Sequence, residues 1–272
     1  MLSNWTQNDI VADHVSIHYT RTGDGSQPPL VLAHGFSDNG MCWLPVARDL
    51  AADYDVILPD ARGHGLSQRV QPGDKVDMAA DLAGLVRGLG LEPVILGGHS
   101  MGASTAALTE ARFPGLTRAL ILEDPAWFIP KPSEPGKPEQ PRQNPFDKWL
   151  QTMAGKTVEE LMAKCHQDNP TWPEVELRPW AESKMQFDMN TFSTAREPGM
   201  DWQEAVKLIT CPTLLITAEN DKGSIVTPQA AQLAVELNNK VQVVHISGAG
   251  HSIRRENYAD YMKAIQTFLH DL

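Results

Sequence analysis

The chain has 272 residues, with 23 Lys and Arg against 34 Asp and Glu, a formal net charge of −11. Its 42% hydrophobic content, 20 Gly and 20 Pro fit a globular protein with a substantial core rather than a disordered or fibrous one. The acidic balance excludes nucleic acid, whose phosphates are neutralised by Lys and Arg, and makes an anionic membrane surface a poor partner.

From Ile10 to Thr20 polar and apolar residues roughly alternate, and Thr22-Gly23-Asp24-Gly25 supplies turn chemistry, which predicts an N-terminal antiparallel strand pair. Short apolar runs then alternate with helical patterns. Leu30–Ala33, Val56–Leu58, Pro93–Leu96 and Ala119–Leu122 are runs, separated by helices predicted over 41–52, 77–89 and 101–113. The pattern resumes with a run at Thr213–Thr217, a helix at Pro228–Leu237, a run at Val241–Ile246 and a helix near Asn257–Leu269. Buried runs alternating with helices predict an α/β fold, a mostly parallel sheet covered on both faces.

The stretch from about Pro125 to Lys207 interrupts this order and holds 11 of the 20 prolines and five of the seven tryptophans. Its segment IPKPSEPGKPEQPRQNPF is too rich in proline for a helix or central strand and is expected as an extended loop, while Val158–Cys165 is helix-like. Tryptophans want burial or a ligand, so the stretch is expected as an inserted lid rather than a linker. The expected organisation is a core of residues 1–124 and 206–272 with a lid over 125–205.

Cys42, Cys165 and Cys211 form no CxxC pair, which argues against a disulfide framework or zinc site and for a reducing compartment. The N-terminus lacks a signal-peptide pattern, and no apolar run approaches the roughly 18 residues of a membrane span, so a soluble, cytoplasmic protein is expected. Cys165-His166 has no second ligand pair at suitable spacing, and neither metal nor cofactor is expected.

Gly98-His99-Ser100-Met101-Gly102 lies between an apolar strand and a helix. A nucleophile on a strained strand-to-helix turn needs small neighbours, and a helix starting just beyond it points amides at any charge that develops. A serine hydroxyl also needs a base and an orienting acid. His251, in Ser247-Gly248-Ala249-Gly250-His251 after a strand, is the candidate base; Asp221, in Ala218-Glu219-Asn220-Asp221 after another, is the candidate acid. Asp124, directly after Ala119–Leu122, is the rival acid. His34, His99 and His245 are read as structural.

These motifs make the chain resemble an α/β-hydrolase over roughly 10–124 and 205–270. The resemblance implies an oxyanion hole made by the backbone N–H groups of Phe36, in His34-Gly35-Phe36, and Met101. Asp60-Ala61-Arg62-Gly63-His64-Gly65-Leu66-Ser67 is similar to the family's D-x-R-G-x-G-x-S loop, which implies a structural role and argues against catalysis by His64. A serine nucleophile argues against the dehalogenase and epoxide-hydrolase branches. The expected activity is hydrolysis of carboxylic esters, lactones such as acyl-homoserine lactones included, with Trp127 of the lid contacting an apolar substrate portion. The alternatives are a perhydrolase, thioesterase or carbon–carbon bond hydrolase, or a non-enzymatic ligand receptor on the same fold.

Overall fold

The computed structural model describes residues 5–129, 145–196 and 200–272. In the first half, β1 (Thr6–Ala12), β2 (Val15–Arg21), β3 (Pro29–Ala33), α1 (Leu44–Leu50), β4 (Asp55–Pro59), β5 (Lys75–Val76), α2 (Met78–Gly88), β6 (Val94–His99), α3 (Met101–Arg112) and β7 (Thr117–Glu123) follow one another. Then come α4 (Pro145–Gln151), α5 (Val158–Asp168), α6 (Glu174–Gln186), β8 (Ala195–Arg196) and α7 (Trp202–Leu208). The chain closes with β9 (Thr213–Thr217), α8 (Pro228–Leu237), β10 (Val241–His245), α9 (Ile253–Glu256) and α10 (Tyr258–His270).

The main sheet runs β1-β2-β4-β3-β6-β7-β9-β10, antiparallel only where β2 meets β1 and β4. Its central strands read as unbroken apolar runs because both faces are covered. Val31, Ile57, Leu120 and Leu215 face one core cluster with α2, α3, α7 and α8, while Leu30, Leu58, Ile121 and Leu214 face the other with α1 and α10.

Two local expectations shift. The hairpin turns at Asp13-His14, both at positive φ, and Thr22–Gly25 instead leads from β2 towards β3. The helix predicted over 41–52 opens as a 3-10 turn, Gly40–Trp43, and becomes α-helical where Pro45 pre-sets the first turn.

Between β7 and β9, helices α5 and α6 enclose a third apolar cluster of Met153, Leu161, Cys165, Trp172, Leu177, Trp180 and Ala181. Trp172 and Trp180 find burial there, with Trp149 packed alongside. The proline-rich loop expectation falls largely on 130–144, outside the described residues, and its last residues open α4. Among the described residues, no helix is long and apolar enough to cross a membrane, and no group of three His, Cys, Asp or Glu side chains is arranged to hold a metal.

Candidate active site

Loops at the carboxyl ends of β3, β6 and β7, and the loop after β10, converge on one region, the position where open α/β sheets bind ligands. Ser100 occupies the β6–α3 turn with φ +53° and ψ −112°. A non-glycine residue there stores about 1–3 kcal/mol of backbone strain, which the surroundings must enforce. The Ser100 N–H donates to the Glu123 carbonyl at 2.9 Å, and the Ser104 N–H closes the first helical turn onto the Ser100 carbonyl. Gly102 permits the turn: a Cβ there would run into the Ala33 and His34 carbonyls, so the helix start lies directly against the end of β3.

Asp124, not Asp221, lies against the candidate base. His251 Nδ1 and Asp124 Oδ2 are 2.6 Å apart, with Asp124 fully buried and the His251 side chain one-third exposed. The Asp124 carboxylate also accepts from Ser224 Oγ at 2.9 Å and from the Ile225 and Val226 N–H groups. Asp221 sits in the exposed 3-10 turn Asn220–Lys222 and makes no contact with His251. The placement of the acid on Asp221 is therefore corrected. The loop after β9 builds the cradle of N–H and O–H donors for Asp124 instead of supplying the carboxylate.

His99 does more than pack. Its Nε2 lies 2.9 Å from the His251 carbonyl, so the N–H resides on Nε2 and steadies the base's backbone, with the two rings 4.6 Å apart. Nδ1 fills the space that Gly35 leaves open, where a Cβ would come within 2.6 Å of it. Burial holds its pKa well below the ordinary histidine value, and the nearby His251 and Arg254 push the same way. A neutral His99 thus touches the loops of the nucleophile, the base and Phe36.

Trp127 is also placed differently from expectation. It is 2% exposed within the core and stacks on Trp202 at 5.1 Å and 11°, which leaves no face for substrate. A small cavity of about 40 Å³ lies beside the start of α3, lined by Ile17, Ala33, Pro59, Leu82, Met101 and Gly102 among others. Its polar edge is the Arg62–Asp81 pair.

Asp60 accepts from the Gly40 and Leu66 N–H groups at 2.7 Å, tying its loop to the end of the Phe36 loop. His64 is fully buried among Phe36, Phe187 and His34, and burial drives its imidazole down to about 3. The unfolded chain protonates this group near 6.5, whereas the folded one does not. Only the unfolded state then takes up the proton, so folded stability falls as pH drops below about 6.5. From pH 7 to 5.5 His64 alone should account for a loss of about 1 kcal/mol. Urea unfolding at both values should show a smaller loss for His64→Phe than for the native chain.

Sequence reasoning missed a buried ion cluster around Asp38, built with Glu176 and Lys184 of α6 and with Arg254 and Arg255 of α9. The sequence signal was a pair of arginines three residues after the candidate base in an acidic chain. Burial pushes the Asp38 carboxyl up, but Arg255, Lys184 and Arg254 together hold it well below the usual carboxylate range.

Comparison with known proteins bears on the whole arrangement. The chain is 28% identical to N-formylmaleamate deformylase of Pseudomonas putida, over 96% of this chain and 95% of that one. It is likewise 28% identical to 2-(acetamidomethylene)succinate hydrolase of Mesorhizobium japonicum, over 96% and 98%. The solved N-formylmaleamic acid deformylase of Pseudomonas putida S16 shares the fold, with a TM-score of 0.74 and 24% identity over 96% of this chain and all of that one. The profile of the alpha/beta hydrolase fold family matches residues 28–257, most of the sequence, and the chain belongs to that family.

Proposed function

We propose that this α/β-hydrolase is a serine hydrolase that cleaves carboxylic esters through an acyl-enzyme on Ser100. The observation that carries the proposal is the 2.6 Å contact of His251 with the buried Asp124, together with a serine held at φ +53° on a strand-to-helix turn whose preceding residue, His99, has its ring 4.6 Å from that of His251. In this reading Ser100 Oγ attacks the substrate carbonyl carbon while His251 Nε2 takes the hydroxyl proton. Asp124 holds the Nδ1–H and stabilises the imidazolium. The N–H groups of Phe36 and Met101 receive the oxyanion, each such donor being worth about 3 kcal/mol in comparable sites. The C–O bond then breaks, the alcohol leaves with the proton from His251, and a water deprotonated by His251 releases the acid. Residues 125–205 act as the lid over this site.

Neutral esters with a partly apolar acyl portion fit best. The walls of the cavity beside α3 are largely apolar, and the nearby cations Arg62, Lys184, Arg254 and Arg255 are already paired with Asp81, Asp38, Glu123 and Glu176. A second reading, cleavage of an N-formyl or N-acetyl group by the same acyl transfer to Ser100, is favoured by the names of the two relatives aligned over nearly their full length.

A panel of p-nitrophenyl esters of graded length, lactones and N-formyl or N-acetyl enamides separates these readings. The ester reading predicts the highest kcat/KM on a p-nitrophenyl ester, falling at least tenfold for the N-acyl compounds. The reverse order would replace it with the second reading.

A further inference from the structure

Asp38, two residues beyond Phe36, is the meeting point of α6 and the loop of the candidate base. It receives Lys184 Nζ at 2.8 Å and an Arg255 amino group at 3.1 Å, with Arg254 at 3.8 Å. Lys184 Nζ also donates to the Ser37 carbonyl at 2.9 Å and to Ser183 Oγ at 3.2 Å. The Lys184 side chain is 1% exposed, and its ammonium lies 5.1 Å from the centre of the Trp180 ring. The Glu176 carboxylate, two residues from the start of α6, binds Arg255 at 3.0 Å, so the helix is held near both ends.

A buried cation of this kind can serve adhesion alone, but its second contact falls on a strained peptide. Ser37 stands at φ +63°, and the Asp38 N–H turns back onto the Gly35 carbonyl at 3.1 Å. These two constraints bracket Phe36. Lys184 holds the Ser37–Asp38 peptide by its carbonyl, and the N–H of that same peptide binds the carbonyl of the Gly35–Phe36 peptide, which carries the Phe36 N–H, so the direction of that N–H depends on both. A left-handed serine relaxes unless its neighbours over-determine it. Lys184 is the side chain that grips its carbonyl.

We propose that Lys184 is a positioning residue for the oxyanion loop: from α6 it holds the Ser37 carbonyl and the Asp38 carboxylate, and so aims the Phe36 N–H at the developing oxyanion. Docking of α6 and stabilisation of the transition state are then one event. This rests on the acyl-enzyme reading of Ser100. The oxyanion forms only in the reaction, so loss of the grip lowers kcat and leaves KM nearly unchanged. Lys184→Met leaves Asp38 with Arg255 and Arg254 as partners, so the carboxylate is not stranded.

The test is steady-state and burst kinetics with p-nitrophenyl acetate on the native chain, Lys184→Met and Lys184→Arg. The expected result is a native burst, a kcat for Lys184→Met lowered about tenfold to a hundredfold with KM within about twofold, and recovery of most of kcat in Lys184→Arg, which can still donate to both oxygens. A native chain that acylates while Lys184→Met keeps kcat within about twofold overturns the positioning role alone. A native chain that never acylates overturns the reading beneath it. Should Lys184→Met fail to fold, Lys184→Gln carries the same expectation of lowered kcat at constant KM, and an unchanged kcat there also overturns the proposal.

Discussion

Asp124→Asn should lower kcat on a p-nitrophenyl ester about 10³- to 10⁴-fold, whereas Asp221→Asn should change it less than about twofold. The asparagine keeps the shape of the side chain and an oxygen for the Ser224, Ile225 and Val226 donors, so the fold should survive. It presents an NH₂ or a neutral oxygen to His251 Nδ1 where a carboxylate now lies at 2.6 Å. The imidazole then loses both the tautomer that leaves Nε2 free to take the Ser100 proton and the charge that stabilises its protonated form. Asp221 is exposed and takes no part in this hydrogen bond, and its change should alter only surface charge. Side-by-side kcat values decide the assignment, and a larger loss for Asp221→Asn would return the acid to the loop after β9.

The largest expected effect on stability is that of Arg254→Ala, a loss of about 3–5 kcal/mol. Arg254 is fully buried, lies 4.1 Å over the Trp43 ring, binds Glu123 at 3.0 Å and donates to the Cys42 carbonyl. Truncation leaves the Glu123 carboxylate without its charge partner inside the core and opens a void beneath Trp43. Burial already raises the Glu123 pKa despite Arg254, so the isolated group would take up a proton, keeping only the backbone N–H of residue 254 and the Tyr261 side chain as partners. Two-state urea unfolding measures the difference. Replacing both partners by apolar residues, Glu123→Leu with Arg254→Met, should regain much of the loss, because neither charge is then buried. A double variant no more stable than Arg254→Ala would mean that packing over Trp43, rather than the stranded charge, dominates.

The parallel sheet was legible because strands buried on both faces must be apolar at every position, as Val56–Leu58 and Ala119–Leu122 are. The elbow was legible because a serine on a strained turn with a helix packed against it tolerates so few neighbours, Gly98 and Gly102 above all. The acid was not. Asp124 and Asp221 both follow parallel strands that are adjacent in the sheet, and the choice depends on three donors contributed by Ser224, Ile225 and Val226. A turn that offers N–H groups to a distant carboxylate leaves no periodicity to read. Trp127 misled for a related reason. Its stacking partner Trp202 lies 75 positions along the chain, and that pairing turns a candidate substrate contact into core packing. The Asp38 network leaves only the Arg254-Arg255 pair as a trace in the sequence, since isolated charges on amphipathic stretches read as solvated until the fold encloses them.

The acyl-enzyme is the centre of the account, and rapid-quench mass spectrometry of the protein mixed with p-nitrophenyl acetate tests it most directly. The account predicts a single acetyl group, mapped to Ser100, appearing within the burst and absent from Ser100→Ala, which should lose turnover. Acetylation at another residue, or sustained turnover by Ser100→Ala, would contradict it.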